Sequence, residues 1–176
     1  MHPSGHFVHC PRCGEEGEDA PANSAFHCLH CDFQYFFNPA VAAAAFLRRK
    51  DGKLLFIQRA KDPAKGKLAL PGGFIDANET AEVAVRREIK EEIGIDVSNF
   101  QFLCSHPNAY HYRGITYPVL DFFFYAALDE ARIKADPTEV SEVLYLELSE
   151  VSETDIAFPS VSAAFLALKK KLDGDD

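Results

Sequence analysis

The sequence predicts an α/β domain that follows a small, cysteine-rich N-terminal module. Apolar runs with strand character are separated by turn signals, and two segments have the spacing of amphipathic helices. The module is predicted because four of the five cysteines fall within the first 31 residues. We place the boundary after residue 36, so that the module covers residues 1–36 and the main domain covers residues 37–176.

The main domain is predicted to begin with a β-hairpin, because Asp51-Gly52 between two apolar runs is a strong hairpin signal. A helix is expected at residues 79–93, where Asn78 or Thr80 can cap the start and Gly94 fits the position just past the end. The remaining expected elements are strands at 41–48, 53–59, 68–70, 100–112, 115–128 and 143–148, and a closing helix at 160–172.

Composition limits the classes of function. The chain has 176 residues, which suits one core domain and at most a small additional module. Its net charge of -9 disfavours long nucleic acids, whose binders present basic surfaces. A small anionic substrate is compatible with this charge if metal ions help to hold it. No apolar run is long enough to span a membrane, and no signal segment follows the first residues, so we expect a cytoplasmic protein.

The four N-terminal cysteines form two Cys-x2-Cys pairs, Cys10/Cys13 and Cys28/Cys31, separated by fourteen residues. Four thiolates complete a tetrahedral Zn²⁺ site and leave no open position for catalysis, so a structural zinc ribbon is predicted. Two disulfides and four free thiols are the alternatives, and the absence of a secretory signal favours the metal. The acidic balance of the module favours packing or formation of a homodimer over contact with nucleic acid.

The predicted helix carries three carboxylates that share one face. Its apolar stripe consists of residues spaced four apart: Ala81, Val85, Ile89 and Ile93. Glu92 falls within the angular range of this stripe, Glu88 lies at its edge, and Glu91 lies further round. An inward carboxylate is costly unless it is paired, and three together repel one another. A divalent cation such as Mg²⁺ or Mn²⁺ would resolve both problems, and a salt-bridged helix surface is the alternative.

Two glycines precede the helix in Pro71-Gly72-Gly73. Their lack of side chains lets the backbone approach the helix closely. The carbonyl of Gly72 is therefore a candidate for an additional oxygen ligand.

Residues 73–95 resemble the Nudix box. Gly73 is followed after five residues by Glu79, and seven further residues lead to the run Arg87-Glu88-Ile89-Lys90-Glu91-Glu92-Ile93-Gly94-Ile95. This spacing is similar to the box at each of its defined positions. The surrounding strand pattern extends the resemblance over about residues 38–170.

The resemblance implies a Nudix α/β/α sandwich around a mixed sheet and a pyrophosphohydrolase that uses Mg²⁺ or Mn²⁺. It implies that Glu88, Glu91 and Glu92 hold the metal and that Arg87 orients these carboxylates. The supporting box residues would be Gly73, Glu79 and Gly94. The general base is expected to be either Glu88 or a glutamate after the long strands, where Glu139 fits best and Glu142 is the second choice.

The substrate is encoded less clearly. A ribbon followed by this box is similar to NADH pyrophosphatases, whereas Leu70-Pro71-Gly72-Gly73 is similar to ADP-ribose pyrophosphatases. We therefore expect a small nucleotide-like substrate, ADP-ribose or a dinucleotide such as NADH. Residues considered for substrate binding are Tyr110, Tyr112, Tyr117 and Arg59. A nucleoside triphosphate hydrolase and a non-catalytic ligand sensor are the alternatives, although a sensor would be expected to have lost box carboxylates.

Overall fold

The computed structural model of the protein describes residues 1–17, 25–129 and 132–174. The chain divides into two compact units. One comprises Met1–Ala40 and Ala109–Val119, and the other comprises Val41–Asn108 and Leu120–Asp176. No helix within the described residues is long and apolar enough to cross a membrane.

The first unit is built around the cysteine pairs. Strands β1 (Ala25–His27) and β2 (Gln34–Phe36) pair in antiparallel fashion, with Phe26 opposite Tyr35. Phe26 is fully buried together with Cys10 and Cys28. These strands were not predictable from the sequence, because three residues are too few to show the alternation of a strand.

The second unit contains a mixed sheet. Among the described residues its strands are β3 (Ala40–Arg49), β4 (Leu54–Arg59), β5 (Leu68–Ala69), β6 (Gly72–Phe74), β7 (Gln101–Tyr112), β8 (Ile115–Leu128) and β9 (Val140–Leu146). The order is β5-β4-β3-β8-β7, while β6 pairs with β3 and β9 pairs with β4. The tight turn between β3 and β4 contains Asp51-Gly52, as predicted. The strands expected at 68–70 and 143–148 are observed with slightly shifted ends.

One helix covers each face of this sheet in the described part of the chain: α1 (Ala81–Ile93) and α2 (Pro159–Asp173). Alternate residues of each strand point to opposite faces. Leu55 and Ile57 accordingly pack in the α1 core, whereas Leu54 and Phe56 pack in the α2 core. This arrangement confirms the α/β/α sandwich around a mixed sheet.

Helix α1 begins two residues later than predicted. Thr80 is its N-cap, because the Thr80 hydroxyl accepts a hydrogen bond from the Val83 amide at 3.3 Å. At the other end Gly94 has a φ of 75° and its amide donates to the Lys90 carbonyl at 3.1 Å. Gly94 thus occupies the left-handed position that ends many helices.

The tip of the β7–β8 hairpin belongs to the first unit. Arg113 and Gly114 both have positive φ, 48° and 81°, as a two-residue type I′ hairpin turn requires. The Thr116 amide donates to the Met1 carbonyl at 2.8 Å. The N-terminal residue and the hairpin tip are therefore joined by backbone hydrogen bonding, which the sequence did not indicate.

Candidate active site

The three box carboxylates of α1 differ in burial, as the helical wheel predicts. Glu92 is 8% exposed, Glu88 is partly buried and Glu91 is exposed. A carboxylate oxygen of Glu92 accepts a hydrogen bond from the Gly72 amide at 2.9 Å. The buried end of this acidic face therefore lies directly against β6.

Arg87 binds the carboxylates around it. Its Nε and Nη2 donate to the two oxygens of Glu79 at 2.8 Å and 2.9 Å, a bidentate pair. Its Nη1 donates to Glu88 at 2.8 Å and to Glu91 at 3.1 Å. Its Nη2 also donates to the Phe74 carbonyl at 3.1 Å, which ties the helix to β6. One guanidinium group thus fixes three acidic side chains.

The glycines of β6 allow its close approach to α1. Gly72 has a φ of 147°, and a Cβ atom there would collide with the Ala43 carbonyl oxygen. A Cβ atom on Gly73 would lie 2.5 Å from the carboxyl carbon of Glu88. Both positions therefore require glycine, Gly72 for its backbone conformation and Gly73 for the space that Glu88 occupies.

Replacing Gly73 by alanine is expected to displace the Glu88 carboxylate and to lower kcat. A misplacement of about 1 Å can reduce a rate on the order of 10²-fold. The measurement is kcat for hydrolysis together with the melting temperature. Gly5→Ala is the control, because a Cβ atom there meets only the flexible Met1 side chain. A folded Gly73→Ala variant with the wild-type kcat would contradict the placement of Glu88 in the site.

Burial shifts the acidity of the inner carboxylates. Burial raises the pKa of Glu92 to about 8, and the charges of Glu88 and Glu139 add to this effect against the hydrogen bond from Gly72. Burial also raises the pKa of Glu88, although Arg87 opposes the shift. Hydrogen bonds from Arg87 lower the pKa of Glu79. A buried carboxylate of this kind, with hard oxygen donors beside it, suits a divalent cation.

Glu139 immediately precedes β9, and its backbone pairs with Ala60, the residue that follows β4. Its carbonyl accepts a hydrogen bond from the Ala60 amide at 2.9 Å, and its side chain pairs with Lys61 at 2.6 Å. Its charge acts on both Glu88 and Glu92. Glu142, the second choice from the sequence, is an exposed residue of β9 opposite Gln58.

Arg59 also lies beside the acidic face. Its positive charge lowers the pKa of Glu92, although burial of that carboxylate has the larger, opposite effect. The Arg59 guanidinium lies over the Phe158 ring, 5.2 Å from its centroid. Phe158 is the residue that precedes α2. The structure thus brings the start of α2 next to one of the residues predicted to bind substrate.

A polar pair that the sequence did not predict lies on the α2 side of the sheet. The Ser160 hydroxyl donates to the Asp121 carboxylate at 2.6 Å, and burial raises the pKa of Asp121. The signal available in the sequence was the single acidic residue within the apolar run of β8. Its partner, which is 39 residues away, could not be found from spacing.

The aromatic residues considered for substrate binding belong to the first unit. The rings of Tyr110 and Tyr112 lie 6.4 Å apart at an angle of 35°. The Arg113 guanidinium lies 5.2 Å from the centroid of the Tyr112 ring. Tyr117 is partly buried. These contacts are those of neighbours on a hairpin and are compatible with either packing or stacking on a ligand.

The four N-terminal cysteines converge in the first unit. Their sulfur atoms all lie within 4.8 Å of one another, with Cys10 3.6 Å from Cys31 and Cys13 3.6 Å from Cys28. These distances exclude disulfide bonds, which are about 2.0 Å long. They approach the separation of about 3.8 Å that a tetrahedron with zinc–sulfur bonds of about 2.3 Å requires. The cluster fits a zinc ribbon.

Across the described residues, no other group of three or more histidine, cysteine, aspartate or glutamate side chains converges in this way. Within the box, Arg87 Nη1 binds both Glu88 and Glu91, whereas the Gly72 amide binds Glu92. Gathering oxygens of all three carboxylates around one cation would therefore require a rotation of carboxylate side chains.

Comparison with known proteins places this site in a family. A family model described as the NUDIX domain matches residues 38–167. An ADP-ribose pyrophosphatase of Methanocaldococcus jannaschii is 49% identical over 63 residues, which are 36% of this chain and 37% of that protein. The NAD-capped RNA hydrolase NudC of Escherichia coli is 31% identical over 135 residues, which are 76% of this chain and 49% of that protein.

The alignments thus span half or less of the length of these curated relatives. A solved structure of a NUDIX hydrolase from Nitrosomonas europaea superimposes with a TM-score of 0.67 at 24% identity, covering 95% of this chain and 91% of that chain. At this identity the likeness concerns the fold. The matched model covers most of the chain and includes every carboxylate of α1, and the chain therefore belongs to the NUDIX family.

Proposed function

We propose that the chain is a Mg²⁺-dependent pyrophosphohydrolase that cleaves the diphosphate bond of a nucleoside diphosphate joined to a second group. The observation that carries this proposal is the buried carboxylate of Glu92, held against β6 beside Glu88. Burying an ionised carboxylate costs free energy unless a cation or hydrogen-bond donors compensate its charge. A divalent cation that binds diphosphate supplies that compensation.

The proposed metal ligands are Glu88, Glu91, Glu92 and the Gly72 carbonyl. When bound, Mg²⁺ or Mn²⁺ would neutralise the diphosphate and lower the pKa of the attacking water. Arg87 would keep Glu88 and Glu91 in place, since it bonds both. The supporting residues would act in different ways. Gly73 would leave space for Glu88, Glu79 would hold Arg87, and Gly94 would end α1.

We assign the general base to Glu139, with Glu88 as the second choice. A base must reach the proton that it removes, and Glu139 is close enough to the box carboxylates for its charge to affect their protonation. Glu142 is less suitable, because it is an exposed residue within β9.

The favoured substrates are ADP-ribose and NADH-like dinucleotides. Support comes from the name of one curated relative, an ADP-ribose pyrophosphatase, and from the net charge of -9, which disfavours polymers. The other relative is named for NAD-capped RNA, which shares the NAD group with NADH-like dinucleotides. Arg59 is a candidate for contact with phosphate, and Tyr110, Tyr112 and Tyr117 are candidates for stacking on a base. Stacking on one aromatic face is worth about 1–3 kcal/mol per base in single-strand binders.

The order of kcat/KM among substrates tests this choice. The panel contains ADP-ribose, NADH, a nucleoside triphosphate, a nucleotide sugar and an NAD-capped oligonucleotide, each with Mg²⁺. We expect ADP-ribose or NADH to have the highest kcat/KM. A triphosphate that leads by about tenfold, equivalent to about 1.4 kcal/mol, would replace the assignment with a triphosphate hydrolase. A lead for the capped oligonucleotide would identify an RNA substrate.

The cysteine cluster is proposed to hold a structural zinc ion in a ribbon of residues 1–36, followed by the NUDIX domain at 37–176. The thiolates would supply all four ligands, so the ribbon would contribute to folding or to a homodimer rather than to chemistry. The cytoplasmic location remains a prediction from the sequence.

A further inference from the structure

The loop before β9 is fastened to the end of α1. The Lys134 amide donates to the Ile93 carbonyl at 3.0 Å, and the Asp136 amide donates to the Glu92 carbonyl at 2.8 Å. The last carbonyls of a helix have no partner within the helix. The amides of the loop supply those partners. Glu92 is therefore hydrogen-bonded twice: its carbonyl accepts from the loop, and its side chain accepts from Gly72 of β6.

Gly94 makes this approach possible. A Cβ atom at that position would lie 3.0 Å from the Cβ atom and the carbonyl oxygen of Lys134. Because Gly94 has no side chain, the backbone at Lys134 can pack closely against the end of α1.

Asp136 then organises the turn that leads to Glu139. Its side chain accepts hydrogen bonds from both the amide and the hydroxyl of Thr138, each at 2.8 Å. Its carbonyl accepts from the amides of Glu139 at 3.1 Å and Val140 at 2.9 Å. Aspartate favours such turns because its short side chain bonds to the backbone two residues on. Asp136 therefore restrains the position of the Glu139 backbone.

The ion pair of Glu139 with Lys61 is a weaker constraint. The two side chains are 43% and 57% exposed, and ion pairs at such exposure contribute little. The backbone restraints on Glu139 come instead from Asp136 and from the Ala60 amide at the end of β4. The turn, more than the ion pair, sets where the carboxylate can reach.

We propose that Asp136 and Thr138 are positioning residues that set the distance between Glu139 and the carboxylates of α1. This inference rests on the proposed function, because it requires that Glu139 remove the proton of the attacking water. Neither residue touches the substrate in this account. Their effect on the rate passes entirely through Glu139.

The first part of the test compares side chains that break or keep the turn. Asp136→Ala and Thr138→Val are expected to lower kcat about tenfold or more with little change in KM, the consequence of a small displacement of the base. Asp136→Asn keeps the oxygen acceptor and Thr138→Ser keeps the hydroxyl donor. Both variants are expected to retain most of the wild-type kcat. Ser152→Ala is the matched control, because the Ser152 hydroxyl caps a similar short turn by accepting from the Thr154 amide. It is expected to leave kcat unchanged.

The second part is a double-mutant cycle with Glu139→Gln. If Asp136 acts through Glu139, Asp136→Ala is expected to cause no further loss of kcat in the Glu139→Gln background. Equal losses in both backgrounds would show a general structural role and overturn the inference. Wild-type kcat in folded Asp136→Ala, with Glu139→Gln impaired, would overturn the inference alone. Wild-type kcat in Glu139→Gln would overturn both the inference and the proposed base.

Discussion

Replacing Glu92 by glutamine is expected to lower kcat on the order of 10²–10³-fold, the scale observed when one preorganised electrostatic group is removed. The glutamine amide removes a negative charge and one of the proposed metal ligands. Its carbonyl oxygen can still accept the hydrogen bond from the Gly72 amide. The loss should therefore concern catalysis and metal binding and leave the fold intact.

The melting temperature of the same variant provides an independent test. Burial raises the pKa of Glu92 to about 8, so the folded state favours the protonated carboxyl. Without metal, the fold is expected to lose stability as the pH rises from the unfolded pKa of about 4.3 to the folded value of about 8, because the unfolded chain releases a proton that folded Glu92 retains. The Glu92→Gln variant lacks this charge and should melt at the same or a higher temperature than wild type near pH 8.

The measurements are kcat with Mg²⁺ and the melting temperature without metal. Glu82→Gln is the control, because Glu82 lies on the same helix but is exposed. It is expected to retain the wild-type kcat. Near-normal kcat of a folded Glu92→Gln variant across all candidate substrates would remove Glu92 from the site.

Replacing Cys28 by serine is expected to abolish zinc binding and to unfold the N-terminal module. Cys28 is 1% exposed and its sulfur lies 3.6 Å from that of Cys13. Structural zinc contributes about 10–16 kcal/mol apparent free energy in finger peptides, and the small core around Phe26 has little else to replace it. The second unit has its own two cores and is expected to remain folded.

Elemental analysis of the wild-type chain should find about one zinc ion per chain, as a four-thiolate site requires. Calorimetry should show the loss of only part of the unfolding enthalpy in Cys28→Ser. Cys104→Ala is the control, because Cys104 lies outside the cluster, and it should retain the zinc. Wild-type protein without zinc whose mass shows two disulfides would refute the ribbon.

The elements with a local signal were predictable from the sequence. Asp51-Gly52 marked the first hairpin, and the spacing of Glu88, Glu91 and Glu92 correctly ranked their burial. Both depend on neighbours along the chain, which spacing encodes directly. The family resemblance implied supporting roles for Arg87 and Glu79, but the bidentate pair between them was not predicted.

The features that escaped prediction depend on contacts distant in sequence. Strand β6 has only three residues, two of them glycine, and forms because it pairs with β3. The hydrogen bond from Thr116 to Met1 joins residues that are 115 positions apart. The hydrogen bond from Ser160 to Asp121 joins residues that are 39 positions apart. No periodicity in the sequence marks such pairs. The hydrogen bonds from the loop at Asp136 to the last carbonyls of α1 could not be predicted for the same reason.

The most direct test of the account is product analysis of wild-type protein incubated with ADP-ribose and Mg²⁺. If water cleaves the diphosphate, AMP and ribose 5-phosphate should appear in equal amounts over many turnovers. A chelator should stop their formation. Binding of ADP-ribose without any product, with either Mg²⁺ or Mn²⁺ and with NADH as well, would contradict catalysis and identify the chain as a ligand sensor that has kept its box carboxylates.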